Sequence, residues 1–181
     1  MKKINKYVLA LIISFSFILV FLGLSIARAF YTIDRTEKSI NNIGKITVDN
    51  DLTLTTSKNK LDKAINYYQK LDRNLKLETK IKNIESLNES KKEFVDVSIV
   101  LAISVDNQKA KLNLSDSDVA KYVSDINEYQ KAYISASDFE ELNNYDKYLI
   151  IYEKYKDLLD NNQSDGGSSG SEAPAEEPEI C

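Results

Sequence analysis

Four tyrosines near the carboxyl end of the chain have the spacing of one helix face. Tyr145, Tyr148, Tyr152 and Tyr155 follow one another at intervals of three or four residues, so a helix would align them in one strip. Such a strip could stack on sugars or on a partner helix, because tyrosine offers a flat apolar ring and a polar hydroxyl. The same spacing is typical of a helix core with hydroxyls at its edge, which we favour. The strip is nevertheless a candidate partner-binding face.

One thiol stands at the end of the sequence. Cys181 is the single cysteine, so no disulfide can form within one chain. On an outward-facing tail, Cys181 could form an intermolecular disulfide with a second copy or with a partner protein. The alternative is an incidental or added cysteine that follows the linker-like segment GGSSGS.

The sequence offers few of the residue combinations that catalytic and metal sites use. The chain has no histidine, which excludes Ser-His and Cys-His pairs and histidine-containing zinc sites. Glu140 and Glu141 are adjacent, so on a helix they would point about 100° apart. The acidic groups at 49–51 and at Asp116 with Asp118 lack the glycine and distal glutamate of a calcium loop. We expect a protein that is not an enzyme, with no catalytic residue, metal site or cofactor.

The charges argue against nucleic acid as a partner. Residues 30–163 carry twenty basic and twenty-three acidic side chains, and the lysines alternate with the acids. Nucleic-acid-binding proteins instead concentrate basic side chains in one patch. This alternation is typical of solvated helix faces.

An uncharged run near the amino terminus predicts a membrane anchor. Residues 7–27 contain no charged side chain, and these twenty-one positions would form a helix of about 31 Å, the thickness of a bilayer's hydrocarbon core. Lys2, Lys3 and Lys6 precede the run, which favours a cytoplasmic amino terminus. We expect a signal-anchor over residues 1–29, a lipid bilayer as partner, and a single-pass cell-membrane protein whose carboxyl-terminal domain is extracellular.

A cleaved secretory signal is the alternative interpretation. Ala27 and Ala29 occupy the −3 and −1 positions of a cut before Phe30. The apolar run is longer than the ~7–15 residues of a usual signal core, and Arg28 lies inside the cleavage motif. The anchor is therefore favoured, and both interpretations export the domain.

The exported part has the composition of helices. Both prolines lie in the last eight residues, and Gly44 is the single glycine between residues 31 and 165, so few breakers interrupt the chain. We expect the first helix to continue to about Ile43. An extended crossover over residues 45–55 should follow, with Leu52 among the apolar side chains that plug into the bundle.

Three further helical patterns follow the crossover. A helix over residues 58–71 is expected to be capped by the hydroxyls of residues 55–57. The next pattern runs from Leu77 to Ile103 without a breaker. Residues 115–118 should cap a fourth helix, and Ser137 with Glu140 forms a capping box for the last one.

Several short segments recur along the chain. Residues 103–107 (ISVDN) match residues 46–50 (ITVDN) at an offset of 57, and YQK at 129–131 matches 68–70 at an offset of 61. Residues 144–148 match 83–87 in pattern. This internal repeat predicts two tandem three-helix bundles, residues 30–94 and 95–163, that share a long connecting helix.

The same segments carry a family resemblance. The first unit contains IGKITVD and the second contains NYDKY. These motifs resemble those of the tandem three-helix repeats in surface and secreted proteins of Gram-positive bacteria, although Ala102 replaces the glycine of the second turn. The resemblance implies spectrin-like bundles in an extracellular spacer or binding module, and it implies no catalytic residue.

The last segment differs from the rest in composition. Residues 164–181 contain five acids, two prolines and no base, which predicts a disordered acidic tail. The whole sequence thus predicts an all-α, membrane-anchored interaction or spacer protein of a bacterial cell surface, with a protein partner or a homodimer. An accessory or sensor subunit of a membrane complex is one alternative, and a secreted helical protein is another.

Overall fold

A computed structural model describes residues 6–164 as a helical bundle. The described residues contain six α-helices, two 3-10 turns and no strand, which confirms the all-helical prediction. Cys181 and the rest of the tail beyond Ser164 lie outside the described residues. The helices are α1 (Lys6–Asn41), α2 (Asp51–Gln69), α3 (Ile84–Gln108), α4 (Asp116–Tyr133), α5 (Ala136–Glu140) and α6 (Tyr145–Ser164), with 3-10 turns at Arg73–Leu75 and Leu77–Lys80.

The first helix is exposed along its amino-terminal part and buried in the core at its carboxyl-terminal end. α1 is one uninterrupted helix of 36 residues, about 54 Å long. It begins in the apolar run and ends at Asn41, two residues before the predicted end. Gly44 follows with a positive φ of 65°, a conformation that glycine adopts without a Cβ penalty. The carboxyl-terminal part of α1 enters the core, where Thr36, Ser39 and Ile40 are buried, and Ile43 just after the helix is buried as well.

The start of α2 corrects the predicted crossover and cap. Asn50 is the N-cap: its side chain accepts from the Thr53 N–H at 3.0 Å, while Thr53 Oγ1 accepts from the Asn50 N–H at 3.1 Å. This reciprocal pair satisfies the backbone N–H groups of Asn50 and Thr53. α2 therefore begins at Asp51, seven residues before the predicted start at residue 58. The expected hydroxyl cap at residues 55–57 is therefore wrong. Leu52, expected to plug into the bundle, is 76% exposed, whereas Ile46 and Leu54 are buried as expected.

Replacing Asn50 by alanine should lower the free energy of unfolding by about 1 kcal/mol, because the cap of α2 is lost. The matched change Ser57→Ala, at a helix-interior position, should cost nothing, since alanine has the higher helix propensity. Circular dichroism during chemical unfolding of the full chain in detergent measures both. A larger loss for Ser57→Ala than for Asn50→Ala would restore the predicted cap.

The third helix begins later than its hydrophobic pattern. Leu77–Lys80 is a 3-10 turn rather than the first turn of α3, and Lys76 before it has a left-handed φ of 50°. The helix then continues from Ile84 to Gln108 without a break. α3 packs against α1 and α2 and also against α4 and α6. The predicted long helix is thus present, and it contacts helices that precede it and helices that follow it in the sequence.

Phe94 lies in the middle of this shared packing. Its side chain is 0% exposed, and its ring makes edge-to-face contacts with Tyr129 and Tyr133 at centroid distances of 5.1 and 5.6 Å. Such aromatic pairs add to the stabilisation from burial. α3 and α4 are joined by this cluster.

The last predicted helix is two helices. Ser115 caps α4 together with Asp118, as predicted. Ser135, rather than Ser137, caps α5 by accepting from the Asp138 N–H at 3.1 Å, so the predicted capping box of Ser137 with Glu140 is wrong. The helical structure is interrupted after Glu140, and α6 begins at Tyr145.

The junctions before α3 and α6 are built alike. The Lys82 N–H donates to Glu37 Oε1 of α1 at 2.9 Å, and the Asn83 side chain donates to the Glu37 carbonyl at 3.0 Å. Before α6, the backbone N–H and side chain of Asn144 both donate to the Asp96 carboxylate of α3 at 2.9 Å. In each case an asparagine holds the start of a helix against an acidic residue of an earlier helix.

The clearest sequence match does not coincide in structure. Residues 46–50 lie outside the helices before α2, whereas residues 103–107 are helical and lie near the end of α3. The match between 46–50 and 103–107 therefore does not mark equivalent positions.

Candidate functional site

The amino-terminal part of α1 exposes an apolar surface. Its large hydrophobic side chains are at least about half exposed, and the segment Leu11–Asn41 has a mean hydropathy of 2.2 in its most apolar window. One N-terminal helix is thus long and apolar enough to cross a membrane. The exposed side chains occupy every face of the helix: Leu11, Ile12, Ile13, Phe15, Phe17, Ile18, Leu19, Val20, Phe21, Leu22, Leu24 and Ile26.

The polar side chains inside this apolar stretch bond to their own helix. Ser16 Oγ donates to the Ile12 carbonyl at 2.9 Å, and Ser25 Oγ donates to the Phe21 carbonyl at 2.9 Å. A hydroxyl that has such a partner costs less to transfer into hydrocarbon than one without. The two serines are therefore compatible with an apolar environment.

The charges of the described domain are divided between its two halves. Residues 28–82 carry twelve basic and seven acidic side chains, a net +5. Residues 83–164 carry nine basic and sixteen acidic side chains, a net −7. Summing the charges over residues 30–163 conceals this asymmetry, which a comparison of the two halves would have detected. The half that is continuous with the apolar helix is the basic one.

The four predicted tyrosines do share one face of α6, and that face packs against the bundle. Tyr148 and Tyr155 are buried, at 6% and 2% exposed, while Tyr145 and Tyr152 are half-buried. Phe139 of α5 contacts the rings of Tyr145 and Tyr148 at centroid distances of 5.4 and 4.8 Å. A partner that used all four rings would have to displace α6. In this arrangement only parts of Tyr145 and Tyr152 are accessible.

The hydroxyl of Tyr155 belongs to a charged cluster between α3 and α6. It donates to the Asp106 carboxylate, which also accepts from Lys154 Nζ at 2.7 Å. Burial raises the pKa of Asp106, but the hydrogen bonds from Lys154 and Tyr155 outweigh it and hold that pKa below its ordinary value. Lys109, at the end of α3, pairs with Asp116. The cluster cross-links two helices and keeps its charges paired.

Two tyrosine hydroxyls connect α4 to α2. Tyr122 donates to Asp51 at 2.7 Å, and Tyr133 donates to Asp62 at 2.6 Å. Burial and the neighbouring carboxylate Asp51 raise the pKa of Tyr122 to about 12. Burial also raises the pKa values of Tyr129 and Tyr148 to about 12. The raised pKa values keep the hydroxyls of Tyr122 and Tyr133 in the protonated form that donates to the carboxylates of α2.

The domain should lose stability between about pH 10 and pH 12. A tyrosine in the unfolded chain ionises near pH 10, so its protonated contribution is complete below that pH and is lost as the pH rises through the folded pKa of about 12. Denaturant unfolding at a series of pH values, with tyrosinate absorbance as a second signal, measures this. Tyr122→Phe should make the pH dependence shallower. Ionisation of every tyrosine near pH 10 in an intact fold would contradict the prediction.

The acidic groups considered for cations are engaged in structure. Asp118 accepts from the Ser115 N–H at 2.9 Å and from Ser115 Oγ at 2.7 Å. Asp116 pairs with Lys109, and Asp51 accepts from Tyr122 at 2.7 Å. Within residues 6–164, no group of three or more acidic, cysteine or histidine side chains could hold a metal ion.

The features above define a class: an all-helical protein with one amino-terminal helix able to span a membrane. No family model, no curated protein and no solved structure matches the chain. The resemblance to Gram-positive surface repeats stays a prediction.

Proposed function

We propose that the protein is a membrane-anchored, extracytoplasmic helical interaction or spacer protein of a bacterial cell surface. The observation that carries the proposal is the continuity of α1. The same 36-residue helix is exposed and apolar in its first part and lies in the core of the bundle in its last part. The proposed anchor and the first helix of the bundle are therefore one unbroken helix.

The pattern of exposure supports a helix that crosses the bilayer rather than one that lies on it. An interfacial helix has one apolar and one charged face, whereas the apolar side chains of α1 surround the helix and no charge interrupts residues 7–27. In water this surface would cost about 25 cal/mol per Å². A large, continuous exposed apolar surface in a monomer marks a membrane or protein interaction site.

The packing of the exported part supports the tandem-bundle arrangement. α3 packs against α1 and α2 and also against α4 and α6, and the junctions at Asn83 and Asn144 are built alike. Hydrogen bonds from two tyrosines of α4 to carboxylates of α2 join the two sets of helices. The packing of α3 and the two junctions favour spectrin-like units at residues 30–94 and 95–163. They also agree with the spacer or binding role that the family resemblance implies. Such a module would hold a partner-binding surface at a set distance from the membrane.

An accessory or sensor subunit of a membrane complex is the second candidate. The observation that favours it is again α1, because no glycine or proline lies between Leu24 and Asn41 and the helix could transmit motion from bundle to bilayer. Capture of partners by the full chain and by residues 30–181, each with and without reductant, distinguishes the candidates. Co-purification of an integral membrane complex only with the full chain favours the subunit. Partners lost under reduction would indicate a role for Cys181.

Extraction and protease protection test the anchoring itself. We expect the protein to remain in membranes washed at high pH, and we expect protease added outside intact cells to remove residues beyond about 30. Sequencing of the mature amino terminus is the complementary measurement. A mature chain that begins at Phe30 and is released from membranes would overturn the anchor in favour of the secreted alternative.

A further inference from the structure

We propose that the two 3-10 turns form a second, peripheral membrane contact that binds anionic phospholipid. The segment Arg73–Lys80, here called the foot, would place Leu75 at the edge of the hydrocarbon and the surrounding basic side chains on lipid phosphates. This inference rests on the proposed anchoring by α1. It adds a lipid ligand and a fixed contact between the domain and the bilayer surface.

The foot lies beside α1 at the level where the apolar run ends. Leu75 and Leu77 line a groove together with Ile26, Ala29 and Phe30 of α1. On its other side, Leu75 borders a second groove that includes Ser25 and Arg28. The uncharged run ends between Ala27 and Arg28. Leu75 is therefore at the depth where hydrocarbon meets lipid headgroups.

The side chains of the foot are divided between the core and the outside. Leu77 is buried, whereas Leu75 is 57% exposed. Lys76 between them has a left-handed φ of 50°, a conformation that non-glycine residues adopt infrequently. The turn at Lys76 thus directs one leucine inward and leaves the other beside the apolar surface of α1. Such local strain is often found where a segment serves a function.

The charge of this region matches an anionic surface. Residues 70–82 carry five basic and two acidic side chains. The basic ones are exposed and none of them forms an ion pair with another described side chain: Lys70, Arg73, Lys76, Lys80 and Lys82. Of the two acids, Asp72 is used in the fold, since its carboxylate accepts from the Asn74 N–H at 2.9 Å. Basic residues near a membrane surface are attracted to anionic lipid within about a Debye length.

The groove between the foot and α1 has room for part of a lipid. Its volume is about 790 Å³, within the ~300–1,000 Å³ range of small-molecule sites. Mostly apolar side chains of α1, from Leu22 to Ile33, line one part of it, and Lys80 and Lys82 line another. Two acids also line it, and both are engaged: Asp34 pairs with Lys38, and Glu37 accepts from the Lys82 N–H. An acyl chain along the apolar part and a phosphate beside the lysines fit this division. The groove is continuous with the apolar surface of α1 that we propose to lie in the bilayer. A lipid could enter it directly from the bilayer, which favours a lipid over a protein partner.

A single-tryptophan reporter tests the foot, because the chain contains no tryptophan. Leu75→Trp in the full chain is reconstituted into vesicles of phosphatidylcholine with phosphatidylglycerol, in which some acyl chains are brominated. The control is Leu112→Trp, at a site 50% exposed beyond the end of α3, a helix about 37 Å long. Circular dichroism verifies that both variants fold.

We expect strong quenching and a blue-shifted emission for Leu75→Trp and little quenching for Leu112→Trp. The quenching of Leu75→Trp should fall severalfold in pure phosphatidylcholine, and also when Lys76→Glu and Lys80→Glu are added. Equal, weak quenching at both sites in a chain that protease protection finds inserted would overturn the foot and leave the anchor intact. Equal quenching in both lipids would overturn the headgroup contact. A chain that does not insert would overturn the proposed function as well.

Discussion

Replacing Phe94 by alanine is expected to lower the free energy of unfolding by about 3–5 kcal/mol. The side chain is fully buried in α3 and contacts the rings of Tyr129 and Tyr133. Its removal deletes a large apolar group and leaves a cavity between α3 and α4, which the surrounding helices can close only in part. A change of this size is a large fraction of the ~5–15 kcal/mol that stabilises a typical domain.

Chemical unfolding of the full chain in detergent, followed by circular dichroism, measures the effect. The matched control is Val100→Ala, at a position on the same helix that is 46% exposed and should change stability by less than about 1 kcal/mol. Because α3 packs against α1 and α2 as well as against α4 and α6, all of these helices should unfold in one transition. In the Phe94→Ala protein that transition should occur at a lower denaturant concentration. A Phe94→Ala protein that loses no more stability than the control would contradict the packing of α3 against α4.

Introducing arginine at Phe15 and Leu19 together is expected to abolish stable membrane integration. The two positions flank the middle of the apolar run, where each arginine costs about 2.5–3.5 kcal/mol on insertion scales. The combined cost of about 5–7 kcal/mol would outweigh much of the apolar free energy of the helix. The helical bundle should still fold, because its core starts near Thr36.

The fraction of protein that stays in membranes after washing at high pH measures this loss. The control exchanges the two side chains, Phe15→Leu with Leu19→Phe, which keeps the composition of the run and should leave integration unchanged. Unchanged integration of the double-arginine protein would show that residues 7–27 are not the part of the chain that holds it in the bilayer.

Hydrophobic patterning predicts much of this fold. The length of the apolar run and the near absence of proline and glycine predict the helices, and Ser115 with Asp118 predicts the start of α4. The strip of tyrosines is also placed on one face of α6 by spacing alone. These features depend on local sequence, which is what periodicity and capping rules describe.

The errors arise where several local signals compete or where distant residues decide. Asn50 and the hydroxyls of residues 55–57 are all good caps, and only Asn50 forms the reciprocal pair with Thr53. The pattern from Leu77 through Ile81 and Ile84 continues helical spacing, yet the junction at Lys82 and Asn83 is fixed by Glu37 of α1. A contact across 45 residues has no local signature.

The candidate site shows the same limit. Spacing cannot tell whether the tyrosine strip faces a partner or the bundle, because that depends on where α4 and α5 lie. The position of Leu75 beside Ile26 and Ala29 depends on the fold of the intervening chain. Only the uneven charge of the two halves was present in the sequence.

The unbroken α1 also has a mechanical consequence. With neither glycine nor proline between Leu24 and Asn41, the helix offers no pivot, so in the proposed anchored arrangement the bundle would follow the inclination of the segment inside the bilayer. Transmembrane helices are commonly tilted by about 20° from the bilayer normal. For a point about 37 Å from the lipid surface, which is the length of α3, this tilt corresponds to a sideways displacement of about 13 Å. Sideways force on the far end would therefore act as torque on the lipid-embedded segment.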